Sequence, residues 1–511
     1  MRKLLTAALL AGVTSLVTLV ATAASPTIEP DAVLSHIKFL ASDELKGRGD
    51  GSPELERAAE YIAQQFTAAG LEPGGDNGSF FQPFQLQAGL DVGAGNDLEI
   101  DSKDRAIHLQ IGASYYPLAA TPTAAPGSPS IDLDNVPLVF AGYGISSRSA
   151  GYDDYDGLDV KDKAVLIFSH EPQENRADSR LNGARPLRET TLAAKAQAAR
   201  SRGARVLLVV SDPSHKVDEA DYRRFTIDPD PDDVGITVLR VSRAELQPLI
   251  QEWQLDSLAA AIDRDLVPRS RPLPGADVDY KEFLARNTRT VRNVVGILPG
   301  SDPARRDEAI VIGAHYDHVG LGGRYSMAPE LTGQIHNGAD DNASGTASII
   351  EIAKAAGAQR DRFPRTLVFI AFAGEERGLL GSAFYADHAT VSLGNTITML
   401  NLDMVGRSNG KVETSGLETA PSLRDDFQTA VKAVGIRVGN NGPGSGRSDD
   451  SSFLQRHIPS IIFFTGFHSD YHRPTDDWQK IDAPGTARVA TLALEFAARI
   501  AARPSRPAFV N

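Results

Sequence analysis

The amino-acid sequence predicts an α/β protein: a mostly parallel central sheet flanked by helices, with a smaller α/β domain inserted into it. From about residue 280 onwards, β-branched apolar runs alternate with helical patterns, as they do in parallel sheets. A second group of short apolar runs lies between residues 131 and 241, beyond a stretch rich in Ala, Pro, Thr and Ser. The chain of 511 residues is long enough for both units.

Composition narrows the classes of function. The chain carries a formal net charge of -14 and no basic stripe, which argues against a nucleic-acid partner and against binding to anionic membranes. It contains no cysteine, so a transition-metal site must be built from His, Asp and Glu, a ligand set that suits zinc or a similar divalent ion. Because no disulfide is possible, a large core must stabilise the fold.

The first residues predict an export signal. Arg2 and Lys3 precede an apolar run from Leu4 to Val20, and small residues follow as a cleavage site at 21–23. We therefore expect residues 1–24 to be removed as a signal peptide and the mature protein to be secreted or periplasmic. An uncleaved membrane anchor is the less favoured alternative. No other stretch of the sequence is apolar over the length needed to cross a bilayer.

Residues 25–130 are predicted to form the N-terminal part of the catalytic domain. Helical spacing is present in PDAVLSHIKFLAS (30–42), and Ser52 and Pro53 supply the cap and first-turn proline of a second helix, which Gly70 ends. GGDNGSFFQPF is then expected to be a loop, and DLEI and AIHLQIG are expected to be strands. The linker composition of 119–130 predicts the domain boundary.

Residues 131–284 are predicted to be the inserted domain. VPLVFAGYGI, KAVLIFSH, ARVLLVV and GITVLRV are expected to be strands, with one helix over ETTLAAKAQAARSRGA. The insert shows no catalytic constellation in the sequence. Its histidines His170 and His215 are expected to be isolated, either solvated or in the core, and not ligands.

Residues 285–511 are predicted to form the main part of the catalytic domain, which carries the metal site. The expected strands are NVVGIL, AIVIGA, TLVFIAFA, ITMLNL and SIIFF. His315 ends the second of these runs, Glu375 and Glu376 follow the third, Asp403 ends the fourth, and His472 lies in the loop after the fifth. Since ligands bind outside the carboxyl ends of the strands in such sheets, we expect these side chains to meet there.

Residues of these types suit a pair of divalent ions that share one bridging carboxylate and one bridging water. Glu375 is the predicted general base, because neighbours just past a strand end point in different directions and Glu376 can then bind a metal. Asp317 is predicted to accept a hydrogen bond from the second ring nitrogen of His315 and to fix its tautomer. The predicted metal ligands are His315, Asp341, Glu376, Asp403 and His472.

Six motifs in the catalytic part carry a resemblance to a known family: GAHYDHVG, NGADDNASG, AFAGEERGLLGS, NLDMVG, SDDSSF and YHRPTDD, in this order, preceded by FLASDELKGRG. With them the chain resembles the secreted zinc aminopeptidases of the bacterial leucyl aminopeptidase type, whose wider family includes glutamate carboxypeptidase and the transferrin receptor. The middle segment, with VFAGYGI, YDDYDGLDVKDK and KAQAARSRGARVLLVV, is similar to the protease-associated domain of that family.

The resemblance implies a zinc exopeptidase fold and two Zn²⁺ ions. It implies that His315 and Asp403 hold one zinc and that Glu376 and His472 hold the other. Asp341 would bridge them.

Asp340 is the less favoured bridge, because Asp341 is the aspartate that directly precedes Asn342 in the matching motif. A cis peptide bond after Asp341 is a trait of the family. Tyr471 matches a tyrosine that in some members helps to hold the oxyanion. Asp450 and Asp162 depart from the pattern, and neither is a proposed ligand.

The favoured function is therefore a metallo-exopeptidase, an aminopeptidase that removes N-terminal residues from peptides through a metal-bridged hydroxide, with Glu375 moving the proton. Carboxypeptidases and dipeptidases use the same centre and stay open as alternatives, since the sequence assigns no role to Arg324, Arg407 and Arg447. A non-catalytic receptor-like protein and a single-zinc cyclase are less favoured, because the ligand set is complete.

Overall fold

The computed structural model describes residues 27–103, 105–120, 129–181, 187–215, 222, 225, 234–439 and 446–510. The predicted signal peptide, residues 1–24, lies outside the described residues. Among the residues that are described, none of the helices is long and apolar enough to cross a membrane.

Ten α-helices of five or more residues lie in the described part of the chain. They are α1 (Pro30–Leu40), α2 (Pro53–Ala68), α3 (Leu192–Ser201), α4 (Arg243–Glu252), α5 (Leu255–Asp265), α6 (Gly345–Gly357), α7 (Leu380–Asp387), α8 (Arg424–Val434), α9 (Asp450–Leu454) and α10 (Ala483–Ala502). The two helices predicted at the start of the mature chain are confirmed as α1 and α2. Ser52 caps α2 by accepting a hydrogen bond from the Leu55 amide, and Pro53 occupies the first turn.

The strands are named in chain order. They are β1 (Glu72–Pro73), β2 (Phe81–Val92), β3 (Asp97–Ser102), β4 (Arg105–Leu109), β5 (Tyr115–Ala119), β6 (Ile131–Phe140), β7 (Ser146–Ser147), β8 (Tyr152–Asp153), β9 (Ala164–Phe168), β10 (Val206–Val210), β11 (Val238–Val241), β12 (Arg271–Glu282), β13 (Leu284–Leu298), β14 (Ala309–His315), β15 (Thr366–Phe372), β16 (Thr396–Leu402), β17 (Lys411–Ser415), β18 (Arg437–Gly439) and β19 (Ser460–Phe464).

The first sheet has nine strands in the order β1-β13-β15-β14-β16-β19-β17-β18, with β2 paired to β13. Its centre, β15-β14-β16-β19, is parallel throughout. Antiparallel strands lie on both sides of this centre, β13 next to β15 and β17 next to β19. The predicted α/β class with a mostly parallel central sheet is confirmed.

Strand β14 shows why its sequence is apolar at every position. Ile310 and Ile312 point into one buried cluster, and Ala309 and Val311 point into another on the opposite face. Successive side chains of a strand alternate between faces, so a strand covered on both sides needs apolar residues throughout. Helices α1, α6 and α10 pack against one another, and α6 also packs on β14.

The second sheet has eight strands in the order β4-β3-β12-β6-β9-β10-β11-β5 and a core of its own. Its strands β3, β4 and β5 come from 97–119, which the sequence assigned to the catalytic domain, so that assignment is wrong for these strands. The physical reason is the long strand β12, which pairs with β3 as well as with β6. The linker-like stretch at 119–130 thus joins β5 to β6 within one sheet, and the division into separate domains stays a prediction.

The expected loop GGDNGSFFQPF is a strand from Phe81 onwards. β2 pairs antiparallel with β13 over most of its length. Phe84 and Leu86 are buried at alternate positions, whereas Gln85 and Gln87 face solvent. The glutamines and Pro83 obscured this alternation in the sequence.

Candidate metal centre

The predicted ligands meet at the carboxyl edge of the first sheet. His315 is the last residue of β14, Glu375 and Glu376 follow β15, and Asp403 directly follows β16. The loop after β19 carries His472. Because β15, β14, β16 and β19 are neighbours and parallel, their carboxyl ends open on the same space.

One group of side chains surrounds His315, which is 1% exposed. Its Nε2 lies 3.3 Å from Asp341 Oδ1 and 3.4 Å from Asp403 Oδ1. Glu375 Oε2 lies 4.0 Å from the same nitrogen. A histidine nitrogen and three carboxylates therefore converge on one point.

A second group surrounds His472, whose Nε2 lies 3.1 Å from Asp341 Oδ2 and 3.0 Å from Glu376 Oε2. Its Nδ1 lies 2.7 Å from the carbonyl oxygen of Tyr325, so Nδ1 donates and Nε2 keeps its lone pair for a ligand. The two oxygens of Asp341 thus face two different histidines. This is the arrangement that a bridging carboxylate needs.

Asp340, the less favoured bridging residue, bonds to residues outside the predicted ligand set. Its Oδ1 accepts hydrogen bonds from the Gly406 amide at 2.6 Å and the Ser344 hydroxyl at 3.0 Å, and its Oδ2 lies 3.1 Å from His468 Nε2. The peptide bond between Asp341 and Asn342 is cis, as the resemblance implied.

The carboxylate of Asp317 does not accept the hydrogen bond from His315 that the sequence analysis predicted. Its Oδ1 lies 3.7 Å from His315 Nδ1, beyond hydrogen-bond distance, and the nearer acceptor is the Asp317 carbonyl oxygen at 3.2 Å. The carboxylate accepts instead from the amides of Glu375 and Glu376, at 3.2 Å each. The side chain of Asp317 therefore positions the turn that carries both glutamates, and its backbone orients His315.

His318 is a site residue that the sequence analysis missed. It is buried, its Nδ1 lies 2.7 Å from Glu376 Oε1 and 3.9 Å from Asp341 Oδ2, and its ring lies edge-on to that of His472. Its Nε2 has no hydrogen-bond partner among the described residues. His318, Asp341, Glu376 and His472 form a four-residue group that could hold a metal. The sequence signal that could have identified His318 is its position three residues after His315 in the motif GAHYDHVG.

Arg48 is a second missed residue, from the N-terminal motif FLASDELKGRG. It is completely buried, and its guanidinium donates to the carbonyl oxygens of Tyr316, Leu40, Asn337 and Gly338. These bonds hold the segment after β14 against the loop that leads to Asp341. Burial lowers the pKa of Arg48 to about 10, although the nearby carboxylates of Asp317 and Asp341 oppose that shift.

The electrostatics of the centre favour cations. Burial alone would lower the pKa of His472, but Glu376 and Asp341 raise it to about 11. Burial and Asp341 would raise the pKa of Glu376, yet His472 and His318 hold it at about 2. Burial raises the pKa of Glu375 well above its usual range. The raised pKa of His472 reflects the negative charge that Glu376 and Asp341 place around this ring.

These residues fit a pair of zinc ions. Histidine nitrogens and carboxylate oxygens are the ligands that zinc takes in the absence of cysteine. The buried Asp403 Oδ1 accepts no hydrogen bond within the described part of the chain, as expected of an oxygen whose natural partner is a metal.

A cavity of about 70 Å³ opens beside the first group. The ring of Tyr471 stacks on His472 with centroids 3.9 Å apart and also lines this cavity. Phe467, which is 62% exposed, lies at its rim, edge-on to Tyr471. Around the carboxylates of Asp341, Glu375 and Asp403, the apolar part of the wall is Met404, Ile462, Phe464 and Phe467.

A larger groove of about 400 Å³ lies next to His318 and Glu376. It is lined by three basic side chains and three acidic ones, so its charges balance. They are Lys46, Arg289, Arg377, Asp50, Glu54 and Glu376.

Solved structures share the fold over most of the chain. The aminopeptidase from Aneurinibacillus sp. strain AM-1 superposes with a TM-score of 0.55 at 23% identity, over 95% of this chain and 97% of that one. BSAP, a zinc aminopeptidase from Bacillus subtilis, gives 0.54 at 21% identity, over 92% and 94% of the two chains. At these identities the likeness establishes the fold alone.

Sequence similarity is concentrated in the part that carries the metal centre. The chain is 29% identical over 208 residues to aminopeptidase YwaD of Bacillus subtilis (strain 168), which covers 39% of this chain and 42% of that protein. The chain thus spans about two fifths of the length of this curated relative. Residues 293–497, which include every predicted metal ligand, match the model of Peptidase family M28. The part of the chain that carries the metal centre is thus similar to Peptidase family M28.

Proposed function

We propose that this protein is a zinc-dependent aminopeptidase that removes apolar residues from the N-termini of peptides. One observation carries the proposal: two groups of His and carboxylate side chains share Asp341 and adjoin a small cavity with an apolar wall. YwaD, the Aneurinibacillus enzyme and BSAP are named as aminopeptidases, which agrees with this function.

We assign His315 and Asp403 to one zinc ion, Glu376 and His472 to the other, and Asp341 to both, and we add His318 to the second set. Zinc ions held by these residues would polarise the substrate carbonyl and would make water a nucleophile near neutral pH. Glu375 would accept a proton from the attacking water and donate it to the leaving amine. Tyr471, on the cavity wall, donates a hydrogen bond to the oxygen that becomes negative.

The site also selects the amino terminus. Asp341, Glu375 and Asp403 surround the cavity, and a free ammonium group is attracted to these carboxylates. The apolar wall then accepts the first side chain, with the exposed Phe467 at the rim as a contact surface. The rest of the peptide extends along the larger, charge-balanced groove.

Carboxypeptidase activity is the second candidate, and Arg447 is the observation in its favour. Arg447 lines the small cavity and is a potential partner of a terminal carboxylate. The other two unassigned arginines are placed differently: Arg407 pairs with Asp476 at 2.8 Å and Arg324 lies over the ring of Tyr325. We favour the amino terminus because YwaD, the Aneurinibacillus enzyme and BSAP are all named as aminopeptidases.

A panel of short peptides with an N-terminal Leu or Phe tests the function. Free peptides should be cleaved, and N-acetylated copies should lose at least about 100-fold in kcat/KM, because the cap removes the charge held by the carboxylates. Copies amidated at the C-terminus are the control and should react at the rate of the free peptides. Equal rates on acetylated and free peptides, with loss on C-terminal amidation, would establish the carboxypeptidase instead.

His318 should affect zinc binding at one site only. We expect His318→Gln to weaken the binding of one zinc ion by at least about 10-fold while the other binds as in wild type, because the nearest contact of His318 is Glu376, which we assign to that ion alone. Competition with a chromogenic chelator measures both affinities. His336→Gln is the matched control, since His336 is buried nearby and bonds to Ser326 Oγ at 2.8 Å and the Gln334 carbonyl at 3.0 Å. Unchanged zinc affinities in His318→Gln would remove His318 from the ligand set.

We further infer that the protein is exported and that the second sheet is the protease-associated insert of the family. The apolar N-terminal segment and the small residues after it support export. The separate cores of the second sheet support a distinct unit, which we take to run from β3 to β12.

A further inference from the structure

A second cluster of metal-binding side chains lies on the other sheet, where the sequence predicted isolated histidines. That prediction is wrong: His170 and His215 stack with their ring centroids 3.7 Å apart and their planes within 4° of parallel. Glu174 joins them, with Oε1 3.2 Å from His170 Nδ1 and Oε2 3.0 Å from His215 Nε2. A ligand atom from each of the three residues lies within 4.8 Å of the others.

The sheet topology explains how they meet. β9 and β10 are parallel neighbours with Phe168 opposite Val210, so the segments that follow them leave the sheet side by side. His170 comes from the first segment and His215 from the second. The cluster thus occupies the carboxyl edge of the second sheet, just as the catalytic centre occupies that of the first.

His215 is placed between two carboxylates, which a neutral ring cannot satisfy. Its Nδ1 lies 2.8 Å from Asp212 Oδ2, and its Nε2 lies 3.0 Å from Glu174 Oε2. A neutral imidazole carries one N–H, so one of these nitrogens presents a lone pair to an anionic oxygen. Something positive must lie on that side of the ring.

Asp212, and not Glu174, is the acceptor that we assign to the single N–H of a neutral His215. Its side chain is 4% exposed, and it also accepts a hydrogen bond from the Ser214 amide at 2.8 Å. A carboxylate that holds one nitrogen of a histidine is the usual partner of a metal-bound ring, since it fixes the tautomer and leaves the other nitrogen free to ligate. His215 Nε2 then faces the same space as Glu174 and His170.

We propose that His170, Glu174 and His215 bind a zinc ion of their own, with Asp212 as the positioning residue of His215. Two imidazoles and one carboxylate form a three-ligand set that leaves a position for water. Side chains that are 41%, 31% and 30% exposed let the ion enter from solvent and let the two stacked rings turn so that both aim a nitrogen at it. The ion ties the segments after β9 and β10 together in a chain without cysteine.

Zinc counting on the full-length protein tests the proposal. Wild type and variants are equilibrated in the same zinc buffers, from nanomolar to micromolar free zinc, and the bound zinc per chain is measured by mass spectrometry. We expect His215→Ala and Glu174→Gln each to hold one ion fewer than wild type at saturation. Peptidase activity should stay at the wild-type level, because none of these residues lies in the first centre.

His108→Ala is the matched control. His108 lies on β4 of the same sheet and pairs with Glu99 at 3.3 Å, but no second histidine completes a cluster there among the described residues. It should hold as much zinc as wild type. The proposal is overturned if Glu174→Gln, which keeps the size of the side chain, binds as much zinc as wild type, or if His108→Ala loses an ion as well. Equal counts in all four proteins would mean that the cluster of His170, Glu174 and His215 binds no zinc.

Discussion

Replacing Glu375 with glutamine is expected to lower turnover by about 10²- to 10⁴-fold, the loss typical of a missing general base. Glu375 Oε2 lies 4.0 Å from His315 Nε2, the longest of the three contacts to that nitrogen, so its carboxylate is the one that can face a water instead of a metal. Burial raises the pKa of Glu375 above the usual range of a carboxyl group, so its carboxylate is a stronger base than an exposed one.

The zinc content of Glu375→Gln distinguishes this role from that of a ligand. We expect near wild-type zinc, because Glu375 is not required to hold either ion. Glu376→Gln is the paired variant and should lose zinc, since Glu376 contacts both His318 and His472. If the two variants lost zinc equally, Glu375 would be a ligand and the assignment of the adjacent glutamates would be wrong. kcat and metal content, measured on the same preparations, decide between these outcomes.

The central strands and the convergence of the ligands could both be predicted from the sequence, for one physical reason. β14, β15 and β16 are buried on both faces, so their apolar runs are continuous, and the polar residue that ends each run stands out. His315 and Asp403 mark such ends. Their convergence followed from the parallel topology and needed no knowledge of the loops.

Loop geometry accounts for what the sequence could not supply. Whether Asp317 reaches His315 or the amides of Glu375 and Glu376 depends on the turn after β14, which no periodic pattern encodes. His318 enters the centre because of that same turn. His170 and His215 are brought together by the register of β9 on β10, a pairing between segments that are distant along the chain.

The extent of the second sheet could not be predicted from the sequence, for a different reason. A stretch rich in Ala, Pro and Thr predicted a domain boundary near residue 130, but such a composition is typical of loops in general and does not indicate which sheet the flanking strands join. The pairing of β12 with β3 is what takes 97–102 into the second sheet, and long-range antiparallel pairing leaves no local signal in either strand.

Removing the metal is expected to abolish activity, and zinc is expected to restore it. Without the ions, no group in the centre makes water a nucleophile near neutral pH, so the chelated protein should show no cleavage above the chelated Glu375→Gln variant. The measurement is the rate on a free aminoacyl substrate after dialysis against a chelator, with the residual zinc determined. A verified metal-free protein that cleaves at full rate would contradict the metal assignment.

The metal-free protein should also lose stability as pH rises. Burial opposes protonation of His472, but Glu376 and Asp341 raise its pKa from 6.5 to about 11. A raised pKa in the folded state means that protonation stabilises the fold fully below pH 6.5, and this stabilisation is lost as pH rises towards about 11. In the zinc-loaded protein the metal takes the place of this proton, so the loss is absent and zinc binding releases protons. The difference in unfolding temperature between the two forms should widen as pH rises from 6.5 to about 11. A constant difference would mean that His472 does not bind the metal.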